Sequence, residues 1–197
     1  SVDVELNMPG RHNVLNALAA ITVAWELGIR ADSIQSALDR FEGIGRRFQA
    51  TTVSYAGADV MVVDDYGHHP REIEATVEAA RQGWPGRRVV LAFQPHRYSR
   101  TQELFEDFVA VLCEPDLLVL TDVYAAGEQP VAGADGRALS RALRLRGEEP
   151  VFVEEVADLP RQLTRVVQPG DIVLLMGAGD IGAVVPGVIG ALREGDA

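Results

Sequence analysis

The segment VVDDYGHHPREIEAT, residues 62–76, gathers Asp64, Asp65, Tyr66, His68 and His69 where an apolar run gives way to a helical pattern. Such a set offers four chemistries: metal ligation, acid–base work, a grip on a polar substrate, or a plain polar turn. Metal ligation fits least. Neighbouring residues of an extended chain point to opposite sides, so His68 and His69 are poorly set to hold one ion. The remaining candidate ligands, His12, His96 and Cys113, stand at no metal-like spacing.

Three further stretches could carry chemistry. In QPHRYSR (94–100), Arg97 and Arg100 are three apart at a helix entry and can face one side. Two guanidinium forks suit a carboxylate or phosphate, although they could equally neutralise nearby acids. In GRHNVLN (10–16), Asn13 and Asn16 share a helical face with His12 beside them. Their amides suit a nucleobase edge, but Asn at a helix start also serves simply as a cap. GAGDIG (177–182) matches the dinucleotide fingerprint. That fingerprint requires a further strand bearing an acid ~20 residues on, and the sequence stops at Ala197. The glycines are therefore expected to serve tight packing between the last strand and helix, with a stand-alone Rossmann-type dinucleotide-binding module as the alternative.

The elements that must position these groups are legible from residue 60 onward. Apolar runs at 60–65, 88–93, 116–123, 150–155 and 171–176 are short and rich in Val, Ile and Leu, as strands buried on both faces are. Helical patterns fill 70–83, 99–112, 136–147, 156–167 and 180–193, with Pro70 in a first turn, Ser99 as a cap and Pro186 inside the last helix. Alternating strand and helix predicts an α/β fold with a doubly wound, mainly parallel Rossmann-like sheet. DDYGHHP, QPHRYSR and DVYAAGEQP (122–130) each follow a strand, so all three loops are expected on the carboxyl rim, where such sheets bind ligands. Residues 1–43 read instead as a short, mostly helical remnant of another domain, joined by the hinge GIGRR to a main domain over 44–197. Arg46 in that hinge is expected to be an exposed linker residue with little packing.

Composition narrows the function. The 197 residues are 47% apolar, enough for a sizeable core. A net charge of -11 argues against nucleic acid and anionic membrane as partners. One cysteine fits a reducing compartment, and no run approaches the ~18 apolar residues of a membrane span. Cytoplasm is the expected location. All 18 basic residues are arginine, so the sequence cannot hold a P-loop, which ends in GKS or GKT.

NMPGRHNVLNALAA, GIGRRF, VDDYGHHPREIEATVEAAR, FQPHRYSRT and DVYAAGE, in this order, resemble the C-terminal half of the Mur ligases of peptidoglycan synthesis, in their L-alanine-adding branch. The resemblance implies that His12, Asn13 and Asn16 contact the adenine side of ATP, that Arg46 reaches the phosphates, and that Asp64 lies near the ribose. It implies that Tyr66 and His68 approach L-alanine, whose carboxylate Arg97 and Arg100 grip. By the family mechanism ATP phosphorylates the lactyl carboxylate of UDP-N-acetylmuramate, and the alanine amine displaces phosphate from the acyl phosphate. Such chemistry is dominated by positioning and charge neutralisation. ATP and Mg2+ would then serve the full-length enzyme. Residues 1–43 would be the tail of its central ATP-binding domain, and residues 44–197 its amino-acid-binding domain. The fragment would contain no catalytic residue or metal ligand of its own and would be inactive alone.

Overall fold

The computed structural model describes residue 4, residues 6–41 and residues 43–195. Its centre is a six-stranded sheet in the order β1-β2-β6-β3-β4-β5, formed by β1 Gln49–Tyr55, β2 Ala58–Asp65, β3 Val89–Phe93, β4 Leu117–Thr121, β5 Val151–Val153 and β6 Ile172–Met176. Strands β2 to β6 are parallel, and β1 runs antiparallel along β2. The central runs are continuously apolar because both of their faces are covered. Every residue of β3 and of β6 is buried.

Strand β1 lies outside the sequence expectation, which begins the sheet at residue 60. QATTVSY is mostly polar because it is an edge strand with only Val53 buried. It reaches β2 through the two-residue loop Ala56–Gly57, with both φ angles positive, 49° and 80°. That is the hairpin turn whose twist matches the strands.

Right-handed crossovers decide which helix covers which face. Strand β2 leads through α3 (Pro70–Gly83) to β3, then through α4 (Tyr98–Glu103) and α5 (Phe105–Val111) to β4, and through α6 (Gly136–Leu145) to β5. These steps move outward along one face. There Ile73, Val77, Phe108, Leu139 and Leu143 form one core with Val63, Leu91, Phe93 and Leu120. The return to β6 passes a 3₁₀ turn, Val156–Asp158, and α7 (Leu159–Leu163), and α8 (Ile181–Glu194) follows β6. These cover the opposite face, where Leu159, Leu163, Val188 and Leu192 meet Val62, Val90, Val119 and Val173. Fully burying one such side chain is worth about 1.5–3 kcal/mol, so the two layers fix the rim loops to a rigid base.

Several helices differ from expectation. The single helix over 99–112 is two, broken at Leu104, whose φ of -110° and ψ of 25° leave the helical region. Ser99 does not cap it: the cap position is Arg97, at φ 74°. The helix over 156–167 shrinks to α7 beside its 3₁₀ turn. Pro186 sits inside α8 without ending it.

Before the sheet, α1 (Arg11–Glu26) and α2 (Ala31–Asp39) pack on each other but leave Val14, Leu15, Leu18, Val23 and Trp25 exposed. Among the described residues no helix is long and apolar enough to cross a membrane. The hinge that follows is not slack. Phe48 is buried, stacks on Trp84 at 5.9 Å, and donates its backbone N–H to Asp65 Oδ2 at 2.8 Å. Left-handed torsions fall on Gly43, Arg46 and Phe48 (φ 95°, 58° and 48°). Two of these are non-glycine, each at a conformational cost of about 1–2 kcal/mol.

Candidate functional site

Strands β2 and β3 feed helices on one face, and β6 between them feeds α8 on the other. The crevice beside such a switch is where open α/β sheets hold ligands. The loops after β2, β3, β4 and β6 all open there.

At the end of β2, Asp64 and Asp65 point to opposite faces, as successive strand residues do. Asp64 Oδ1 accepts from Arg46 Nε at 3.1 Å, and a terminal nitrogen of Arg46 donates to the Gly177 carbonyl at 2.7 Å. Burial pushes the Asp64 carboxyl above its ordinary pKa, against the opposing pull of Arg46. Asp65 Oδ1 accepts from Gly67 N at 2.7 Å, while Oδ2 takes the Phe48 N–H. Burial likewise raises its pKa. Asp65 thus ties the hinge to the loop, a structural task. Tyr66 donates its backbone N–H to the Arg46 carbonyl, and its ring lies 5.2 Å from the Arg46 guanidinium carbon and 5.7 Å from that of Arg47.

The two histidines of the loop part company. His69 caps α3, its Nδ1 accepting from Arg71 N at 3.3 Å, while Glu72 Oε2 accepts the backbone N–H groups of His68 (2.8 Å) and His69 (3.1 Å). This is a capping box with histidine in place of serine or threonine. Burial works against the Glu72 carboxylate. The His68 N–H and imidazole, the His69 N–H and Arg47 outweigh it and hold its pKa below the usual range. His68 Nδ1 lies 3.0 Å from the Tyr66 carbonyl. A carbonyl only accepts, so this nitrogen carries the proton.

A row of four rings then crosses the rim from β2 to β4. Tyr66 meets His68 edge-on at 5.5 Å, His68 lies 5.7 Å from His96, and His96 stacks on Tyr124 at 5.4 Å and 15°. Beyond His96 opens a hollow of about 470 Å³ lined by Arg97, Arg100, His69 and Glu103 among others. The two arginines therefore share one space, as their spacing predicts. Arg97 Nη1 is 3.7 Å from Glu128 Oε1, and Glu128 also accepts the Ser99 hydroxyl and N–H at 2.6 and 3.0 Å. Those two Ser99 bonds lead the causes that lower the Glu128 pKa. Arg100 turns back onto His96, 3.0 Å from its carbonyl and 3.3 Å from Nδ1.

The glycines of GAGDIG do serve close packing, with partners beyond the last strand and helix. A Cβ on Gly179 would lie 2.4 Å from Gln94 Oε1 and 2.7 Å from Tyr124 Cβ, and one on Gly182 would lie 2.4 Å from the Arg46 guanidinium carbon. Gln94 is buried, donating to Asp180 Oδ1 at 2.6 Å and accepting from Ile181 N at 3.1 Å. This protein's own side chains fill the space a dinucleotide would need beside these glycines.

The asparagines lie elsewhere. Asn13 and Asn16 line a cavity of about 770 Å³ with Met8, Phe41, Asp65 and Thr76. Asn13 is buried and donates to the Pro9 carbonyl at 2.7 Å, while Gly10 occupies the cap of α1. The His12 side chain lies outside the described part. The sheet edge thus gathers Arg46, Asp64, Tyr66, His68, Arg97 and Arg100 along one rim, whereas Asn13 and Asn16 face a cavity that Arg46 and Asp64 do not line. Sequence reasoning passed over Glu72, Gln94, Tyr124 and Glu128, and weighed His96 only as a metal ligand. Only Glu72 carried a signal, standing three residues after the cap and two after Pro70.

Residues 46–179 match the family described as Mur ligase, glutamate ligase domain. The chain is similar to the UDP-N-acetylmuramate–L-alanine ligase of Bordetella petrii, 56% identical over 195 residues, covering 96% of this chain and 42% of the relative. The Neisseria gonorrhoeae enzyme of the same name is 60% identical over 187 residues, covering 93% of this chain and 40% of the relative. Among solved structures, the UDP-N-acetylmuramate–alanine ligase of Thermotoga maritima superposes with a TM-score of 0.81 at 30% identity, covering 98% of this chain and 40% of that one. The chain therefore spans about two fifths of the length of these relatives. With the match running from the hinge arginine to the loop after the last strand, the chain belongs to the Mur ligase family, in its glutamate ligase domain.

Proposed function

We propose that this chain is the C-terminal, amino-acid-binding part of an ATP-dependent ligase joining L-alanine to UDP-N-acetylmuramate in the cytoplasm. The observation that carries the reading is the pair Arg97 and Arg100 lining one hollow on the ligand-binding rim. Two guanidinium groups there suit the carboxylate of a small amino acid, and Leu104 in the same lining offers an apolar contact for its methyl group. Tyr66 and His68, at the other end of the ring row, would face the amine end of the substrate.

Arg46 uses two of its N–H donors on Asp64 and Gly177, and a guanidinium has five. The remaining donors could meet ATP phosphates, with Asp64 near the ribose and His12, Asn13 and Asn16 on the adenine side. Bound ATP would supply the phosphoryl group that activates the lactyl carboxylate. The residues of this chain would hold the amine in line with that carboxyl carbon and neutralise charge. Mg2+ would accompany the bound ATP, held by the rest of the ligase. On this reading residues 1–43 end the central ATP-binding domain and residues 44–197 form the amino-acid domain. The exposed apolar side chains of α1 are what a helix taken from a larger domain would present.

The test uses the full-length enzyme. Arg97→Ala and Arg100→Ala should each raise KM for L-alanine roughly ten- to a hundredfold, the worth of one charge-assisted contact, and leave KM for ATP near its starting value. Equal effects on both substrates would overturn the assignment.

A further inference from the structure

We propose that His96 is a positioning residue whose neutral imidazole fixes the guanidinium of Arg100 over the hollow. The proposal rests on the reading of Arg97 and Arg100 as the carboxylate site and adds a residue and a titration to it.

The geometry assigns the tautomer. Arg100 Nη1 lies 3.3 Å from His96 Nδ1 and 3.0 Å from the His96 carbonyl. A guanidinium only donates, so Nδ1 must be the acceptor and the ring proton must sit on Nε2. The ring is not free to turn away. It stacks on Tyr124 at 5.4 Å, the two residues form a parallel bridge, and Tyr124 N donates to the Pro95 carbonyl at 2.8 Å. On its other side stands the His68 ring. Three loops therefore set the orientation of His96, and His96 sets that of Arg100.

Protonation would place an N–H against the Arg100 N–H and remove the ring from the two acceptors that His96 offers, leaving its carbonyl alone to hold the guanidinium. The charged groups around the ring are His68 from the first loop, Arg97 and Arg100 from its own, and Glu128 from the third. His69 and Glu103 line the same hollow. Burial first, and then the charges of His68, Arg100 and Arg97, push the His96 pKa below its ordinary value, with Glu128 alone opposing. The sign follows. The neutral, acceptor form prevails at neutral pH and above, and the imidazole's part of the hold on Arg100 is lost as pH falls through the depressed pKa. Arg97 is held by Glu128 and does not share this dependence.

The experiment measures KM for L-alanine and for ATP in the full-length ligase across about pH 5 to 8. The variants are His96→Ala, His96→Asn, Arg100→Ala and the His96→Ala/Arg100→Ala double. His96→Ala should raise the L-alanine KM about tenfold at the alkaline end without moving that for ATP, and should add little to Arg100→Ala. His96→Asn, whose amide oxygen stands in for Nδ1 without titrating, should recover most of that loss and flatten the acid rise. An inert His96→Ala, full additivity in the double variant, or an unchanged acid rise in His96→Asn would each overturn the proposal alone. An Arg100→Ala enzyme with unaltered L-alanine KM would overturn the carboxylate reading as well.

Discussion

Arg46 and Asp64, eighteen residues apart in sequence, meet at 3.1 Å across the carboxyl edge of the sheet. The Arg46 side chain is 25% exposed and that of Asp64 12%. A hinge arginine expected to be solvated is thus a brace between the hinge, β2 and the loop after β6.

Arg46→Ala should therefore destabilise the protein, contrary to what an exposed linker position would do. It strips a buried carboxylate of its partner and leaves the Gly177 carbonyl without its donor, together worth about 1–3 kcal/mol. Urea denaturation of this chain checks it. An unmoved midpoint would return Arg46 to the class of free linker arginines.

Gly182→Ala should reach the same brace from the other side. Its Cβ would sit 2.4 Å from Arg46 Cζ, and the guanidinium cannot swing aside without releasing Asp64 or Gly177. A loss of about 1–2 kcal/mol is expected. In the Arg46→Ala background most of this cost should vanish, because the obstructing atoms are gone. Additive losses in a double-mutant cycle would show that Gly182 meets some other obstacle.

Glu72 supplies the pH test. Its folded pKa lies below the ordinary value of 4.5, so its stabilisation is complete above that unfolded value and is lost as pH falls through the folded one. Glu72→Gln keeps an oxygen for the His68 and His69 N–H groups but no charge. It should cost about 1 kcal/mol at neutral pH, the partly exposed side chain keeping the figure low. The gap between the two proteins should close as pH drops below 4.5. Asp64, Asp65 and Asp171 carry raised pKa values and lose stability with rising pH instead. Asp64 and Asp171 are common to both proteins and cancel in the difference, whereas Asp65, which the Glu72 charge helps to raise, offsets a small part of it. A gap independent of pH would rule the charge out.

What the sequence disclosed follows from which interactions are local. Strands buried on both faces announce themselves as apolar runs, so β2, β3, β4 and β6 were legible, and the rim loops with them. β1 was hidden because an edge strand with one buried residue has no apolar run. The shared hollow of Arg97 and Arg100 was legible because three residues at a helix entry set it. The ring row, the Glu128 contacts and the Arg46 brace were not, since each joins loops 18 to 131 residues apart, and a lone sequence carries no register for such pairs. Ser99 looked like a cap until Glu128, 29 positions away, took both its hydroxyl and its N–H.

The hairpin that hid from the sequence offers the last prediction. Tyr55 pairs with Ala58, so Ala56 and Gly57 form a two-residue loop with both φ angles positive. Gly57 adopts this without penalty. Ala56, at φ 49°, does not, because its Cβ crowds the following carbonyl at a cost of about 1–2 kcal/mol. Asparagine tolerates the left-handed region and is favoured at this turn position. The Ala56 side chain is exposed, so no packing is lost by replacing it. Ala56→Asn should stabilise the protein by about 0.5–1 kcal/mol, which for a chain of this size raises Tm by roughly 1–4 °C. Ala56→Val, β-branched and worse in this region, should lower it. Calorimetry on the three proteins decides the matter: if Asn and Val shift Tm the same way, the torsion at position 56 is not what limits the hairpin.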